Sequence, residues 1–517
     1  NALHVNKSTG LPEQCVVPTV VSQSRLGYSL NQMKFRWLTI AALSGTLVYP
    51  VSFVSSEVTG NDLPDFGDSS GSLISPAQEM ELGGAFMNSI RAQATLINDP
   101  QIDGYIRQLG DRLVANSDAP SYPFTFFVVK DSAVNAFAGP GGYIGIHTGL
   151  ILTAHNESEL AGVMAHEIAH VTQRHLLRAY ESANQMNLPT VAGMIAAILL
   201  GVATENAYAG IAGGSAIQAC NIQRQLNFTR ANEKEADRIG IQTLARSGID
   251  PYGMPSFFER LHQSTRLYGN NMPEFLSTHP VTTDRIAESM SRAEEYGHGK
   301  ELDSLEFQLV RVRLKVLDSN NPQTILKDYQ SRAGKTSAGP AEHYGLALAY
   351  WRNGADEKAQ KQLLALMKND PDRAMYRTAL AQIQLEGGQT QEALSLFKDT
   401  LSLYPGDLIV GQEYVAALIQ AGQAKQARDQ VQKMLRNKQA RTAEIYKLWA
   451  KAASMSGPAW ETNVASAEVY NLYGSPKLAI DQLKQALSHK GLSQYEQARI
   501  QARLNEFKQI LAARQQK

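Results

Sequence analysis

Residues 163–175 read VMAHEIAHVTQRH, which sets His166 and His170 four residues apart with Glu167 beside the first. On a helix, positions i and i+4 lie on one face, so both imidazoles can approach a single metal ion. Glu167 is close enough in angle to reach a water beside that metal without being a ligand. These are parts of a hydrolytic centre, but five residues with two wildcards are weak evidence alone. A second segment, NEKEAD, supplies Glu233 and Asp237 sixty-three residues after His170 (233 − 170). A catalytic zinc site takes three protein ligands and leaves one position open, and Glu233 on a second helix could be the third. Asp237, one turn on, can accept the free N–H of a ligating histidine and hold its tautomer. The competing reading of Glu233 is a solvated charge on a helix that also carries Glu235 and Arg238. His147 and His175 are expected to be structural histidines, and Cys220 a small buried residue.

The elements that must position these groups follow from local signals. SPAQ at 75–78 gives a serine cap, proline at the first helical position and glutamine three residues after the cap, opening a helix to about Ala94. A second helix is expected from Asp103 to Ala115. FTFFVVK (124–130) is rich in β-branched and aromatic residues and reads as a strand. The run from Val134 to Leu150 reads as two short strands around the turn Gly139-Pro140-Gly141-Gly142. Asn156 with Glu159 caps the helix of the opening motif. The apolar stretch 188–203 is short for a membrane span; it is either a buried or site-covering helix, or a membrane-facing or mobile lid.

With 517 residues, 43% apolar and 19% charged at zero net charge, the chain reads as a multidomain globular protein. That balance gives no electrostatic reason to expect nucleic acid. Cys15 and Cys220 are the only cysteines, which excludes a disulfide framework and a cysteine-built zinc site. Met33 opens a charged then apolar run, Lys34 and Arg36 before Trp37 to Val54, with small residues at Val54-Ser55-Ser56. This pattern is expected of a cleaved signal peptide (33–56), with 1–32 a non-native upstream segment.

The C-terminal third carries a register. Gly354, Gly388 and Gly422 are 34 apart, Ala359, Ala393 and Ala427 keep the step, and so do Pro371 and Pro405. That period is the signature of tetratricopeptide repeats: helix pairs, glycine at the turn, alanine where helices cross. Gly474 and Ala479 restart it 52 residues on, so 18 extra residues, around SGPAWETNVASAEVYNL (456–472), imply an inserted helix or a break. Three or more units are expected to fold without the preceding domain.

His166-Glu167-x-x-His170, Glu233-x-x-Ala236-Asp237, NAFAGPGG at 135–142 and the segment His279-Pro280 to Arg285 together resemble the M48 family of zinc metallopeptidases. The resemblance implies an α+β fold: a mainly helical metallopeptidase domain with a small sheet (57–300), followed by an α-solenoid of repeats (301–517). It implies one Zn2+ on His166, His170 and Glu233, Glu167 as general base, Asp237 in support and Arg285 stabilising the oxyanion. Asn135, Ala136 and Phe137 would pair with an extended substrate by strand addition, unless that strand only packs in its hairpin. His279 has the chemistry to take the metal's fourth position, and either blocks the site or assists it. With an export signal in front and repeats behind, the resemblance implies a periplasmic protease and chaperone acting on stalled outer-membrane β-barrel proteins and their assembly machinery. The alternative is a non-enzymatic scaffold with a structural zinc.

Overall fold

The computed structural model describes residues 75–176, 188–200, 230–268, 273–299 and 304–515. All belong to one compact unit that begins at Ser70. The expected signal peptide and upstream segment lie outside the described residues, as does Cys220.

Helix α1 (Pro76–Gln93) starts at the expected capping box, with Ser75 and Gln78 satisfying each other's backbone N–H. Helix α2 (Pro100–Ala115) starts three residues earlier than expected. Asp99 caps it and Pro100 takes the first helical position, a start signal that the apolar pattern alone did not reveal. Strands β1 (Thr125–Val129), β2 (Ala136–Gly139) and β3 (Tyr143–His147) follow, with the glycine-proline turn between β2 and β3. The sheet order is β1-β3-β2; β2 runs antiparallel to β3. Short α3 (Thr148–Thr153) leads to α4 (Glu157–Thr172), capped by Asn156.

Every residue of α4 from Glu157 to His170 is buried. A helix buried all round shows no amphipathic stripe, so its polar residues must find partners inside. Glu157 accepts from Tyr105 at 2.9 Å, and Glu159 accepts from the His155 N–H at 2.7 Å and pairs with Arg260. Helix α5 (Leu188–Leu199) buries Ala192, Ile195 and Ala196 in a cluster with Leu82 and Phe86 of α1 and Phe137 of β2. It is therefore a buried helix at the strand. Among the described residues, no helix is long and apolar enough to cross a membrane.

Helix α6 (Arg230–Arg246) lies against α4 at very close range. A side chain at Gly240 would meet the His166 backbone nitrogen at 3.2 Å and Met254 at 2.6 Å, so glycine there lets the two chemistry-bearing helices touch. Helices α7 (Gly253–Tyr268), α8 (Glu274–Thr278) and α9 (Thr283–Tyr296) close the far side.

The helical array then runs as α10 (Leu305–Asp318), α11 (Pro322–Ala333), α12 (Pro340–Arg352), α13 (Asp356–Asn369), α14 (Ala374–Glu386), α15 (Thr390–Leu403), α16 (Leu408–Gln420), α17 (Ala424–Met434), α18 (Ala443–Ser456), α19 (Ala459–Leu472), α20 (Pro476–Ser488) and α21 (Gln494–Gln515). Gly354, Gly388, Gly422 and Gly474 sit at the turns with φ of 69°, 84°, 73° and 69°, which explains why the register is written in glycine. Ala359, Ala393, Ala427 and Ala479 are fully buried. The inserted helix is α18, ahead of the stretch 456–472 where the extra residues were expected; that stretch instead forms α19, whose end leads into the Gly474 turn.

One apolar core runs from Ile102 in α2 to Ile383 in α14 without a break near residue 300. A second core begins at Ala381 and ends at Phe507. The first repeats therefore share their core with the preceding domain. At the joint, Asp99 takes two hydrogen bonds from Arg313 Nε and Nη2 at 2.9 and 2.8 Å. Gln101 donates to Glu413 at 2.7 Å and to Thr378 at 3.0 Å, and Gln382 donates to the other Glu413 oxygen at 2.7 Å. Farther along the array, Arg91 of α1 stacks 3.8 Å over the Tyr473 ring.

Candidate metal centre

Helix α4 presents His166 and His170 from one face, α6 supplies Glu233, and the segment after α8 supplies His279. One ligand atom from each of the four lies within 4.8 Å of the others. His166 Nε2 is 3.0 Å from His170 Nε2 and 3.4 Å from His279 Nδ1. Glu233 Oε1 is 3.4 Å from His170 Nε2 and 3.1 Å from His279 Nδ1. All four residues are at most 2% exposed. Three imidazole nitrogens and a carboxylate oxygen converging at this spacing form a donor set of the type that holds zinc. Burying so many ionisable groups together is costly unless a charge of opposite sign joins them.

The protein's own charges show the strain of that arrangement. Burial opposes charge on His166, but Asp237 and Glu233 outweigh it and push the imidazole to about 9. Burial and the neighbouring His166 hold His170 well below the usual histidine range. Glu233 is held low because His279 and His166 overcome the effect of burial. Glu167 is pushed up, chiefly by burial. Among the described residues its two oxygens have no full hydrogen-bond partner; its neighbours there are His279 Nε2 at 3.6 Å and the Ala138 backbone.

Asp237 Oδ1 lies 3.0 Å from His166 Nδ1, the nitrogen facing away from the other donors. Arg285 grips Asp237 with Nε and Nη2, both at 2.8 Å, while Nη1 reaches Glu233 Oε2 at 2.7 Å and the Pro280 carbonyl at 2.8 Å. Its three nitrogens are committed to carboxylates and a backbone carbonyl, so it braces the site from behind.

The expected substrate strand lies on the sheet edge beside α4. The His147 N–H donates to the Asn135 carbonyl, so by alternation 135, 137 and 139 bond toward β3, while Ala136 and Ala138 turn their backbone groups to the other edge. Among the described residues no strand covers that edge. The Asn135 side chain is 1% exposed, and among the described residues neither amide atom has a hydrogen-bond partner. Phe137 is packed into the α1 cluster and Ala136 into the main core.

Two residues near the centre have a larger part than the sequence indicated. His175, expected to be structural rather than a ligand, has Nδ1 2.9 Å from His170 Nδ1, and Glu235 lies 3.0 Å from His175 Nε2. The repeat of histidine five residues after His170 was the available signal.

Residues 100–293 match the model of peptidase family M48, and 384–452 match a tetratricopeptide repeat model. A beta-barrel assembly-enhancing protease of Escherichia coli K12 is 35% identical over 473 residues, 91% of this chain and 95% of its own length. The chain belongs to peptidase family M48. A Vibrio cholerae relative is 42% identical over 325 residues, 62% of this chain and 66% of its own. More distantly, the mitochondrial metalloendopeptidase OMA1 of Schizosaccharomyces pombe is 29% identical over 182 residues, 35% of this chain and 50% of its own. The chain is thus an M48 metallopeptidase with a repeat array behind it, as the spacing of its motifs implied.

Proposed function

We propose that this M48 metallopeptidase is a periplasmic zinc endopeptidase and chaperone that supports assembly of outer-membrane β-barrel proteins and degrades misassembled ones. The observation that carries the reading is the buried three-nitrogen, one-oxygen donor set with Glu167 beside it, in a chain similar over most of its length to a beta-barrel assembly-enhancing protease.

His166, His170 and Glu233 would hold zinc. Bound there, zinc supplies Lewis-acid polarisation of the scissile carbonyl and of the attacking water. Glu167 takes the proton from that water on a carboxylate oxygen and passes it to the leaving amine; burial makes the carboxylate a better base near neutral pH. Asp237 fixes His166 through Nδ1, and Arg285 fixes Asp237. An extended client adds to the edge of β2 that no described strand covers, its backbone meeting Ala136, with the buried Asn135 amide as an anchor. Backbone pairing reads little of the client's sequence, which suits unfolded β-proteins. His279 supplies the fourth donor and stands between Glu233 and Glu167, so this arrangement is a closed site that must open for turnover. The repeats hold clients or the assembly machinery.

Zinc content of purified variants tests the ligand set. His166→Ala, His170→Ala and Glu233→Ala should each lose most of the metal that the wild-type chain carries. Retention of full zinc by any of the three removes that residue from the set.

A further inference from the structure

Past the end of α4 the chain turns through Arg174 at φ 55°, the one non-glycine residue with positive φ among the described residues. That conformation is disfavoured for an L-residue and is kept where the surroundings require it. Here it turns the chain so that His175 comes back beneath α4, fully buried. The His175 and His170 rings meet edge to face, 4.9 Å between centroids at 76°. Nδ1 faces Nδ1 at 2.9 Å, and the far nitrogen of His175 lies 3.0 Å from Glu235, whose side chain is 34% exposed.

His170 turns Nε2 toward the other metal donors, so the ring can ligate only with its proton on Nδ1. That proton then points at His175. A consistent arrangement follows: His170 Nδ1–H donates to His175 Nδ1, and His175 Nε2–H donates to the Glu235 carboxylate.

We infer that His175 and Glu235 are positioning residues that fix the tautomer and ring orientation of His170 for metal binding. The relay rests on the proposed ligand set and adds the support of its second histidine. It differs in kind from the support of His166, which is a direct carboxylate braced by Arg285. It passes through a neutral ring and ends on a carboxylate at the surface, and the pair Glu233 and Glu235 places a ligand and the end of the relay on one helix, two residues apart. The backbone turn at Arg174 is explained by the same requirement, because an ordinary helix end would not return His175 to the site.

The test is zinc release from the full-length loaded protein into excess chelator, together with the melting temperature of the chelated protein. His175→Phe keeps the ring volume but removes both nitrogens, and should speed release about 10- to 100-fold. His175→Asn restores an acceptor at the Nδ1 position and should bring the rate back most of the way. Glu235→Ala, on a partly exposed residue, should fold and release zinc faster than wild type but more slowly than His175→Phe. Release at the wild-type rate from both His175→Phe and Glu235→Ala overturns the relay, as does an Asn variant as fast as the Phe variant. If His175→Phe fails to fold, Glu235→Ala decides alone. A His170→Ala protein that retains zinc like wild type would instead overturn the ligand set itself.

Discussion

Two buried polar clusters in this chain look alike in composition and behave as opposites. At the joint between the metallopeptidase and its repeats, Asp99, Gln101, Arg313, Gln382 and Glu413 meet donor to acceptor. Burial opposes charge on Arg313, yet Asp99 and Tyr344 hold its pKa well above the ordinary value. At the metal centre, ring nitrogens face ring nitrogens, His170 is pushed down, and Glu167 is buried without a full partner. The first cluster is complete as the chain folds it. The second brings three imidazoles and two glutamates together without such matching, apart from the pair Asp237 with Arg285.

The largest effect on stability is expected in the matched cluster. Arg313→Ala leaves Asp99 without its counter-charge at the joint and should destabilise the fold by about 3 kcal/mol or more, read as a fall in melting temperature. An unchanged melt would mean that the joint is not held by this pair. In the mismatched cluster the opposite holds. His279→Ala removes one crowded donor, so the melt should barely move while turnover of an unfolded substrate rises several-fold; reduced turnover in a zinc-replete variant would show that His279 assists catalysis.

A smaller effect separates the clusters by pH. Burial raises Glu413 to about 7 in the folded chain, above its ordinary 4.5, so the fold favours the neutral acid. The stability this group contributes is full below its ordinary value and is lost as pH rises through about 7. Glu413→Gln should match wild type near pH 5 and melt a few degrees higher near pH 8. Parallel pH profiles for the two proteins would contradict the shift.

The same contrast explains what could be read from the sequence. Patterns confined to a few residues were legible: the spacing of His166 and His170, the Ser75 capping box, the turn at Gly139 to Gly142, and the 34-residue glycine register. That a helix was inserted was legible because the register broke by a countable amount, but its place was not: α18 precedes the stretch expected to hold it. Pairings across long separations were not. Asp99 and Arg313 are 214 residues apart and Gln101 and Glu413 are 312 apart, so no local period announces them. The shared core hid for the same reason. Repeats expected to fold alone bury Tyr344 and Tyr376 in a core that begins in α2. The contacts of Arg285 were not legible either, because its partners, Asp237 and Glu233, meet it only in three dimensions.

The central claim is that Glu167 works beside zinc held by its neighbours. Measuring zinc content and cleavage of an unfolded protein in Glu167→Gln tests it most directly. The account predicts zinc at the wild-type level with cleavage lowered about 100-fold or more. A Glu167→Gln protein that holds zinc and cleaves like wild type would contradict it.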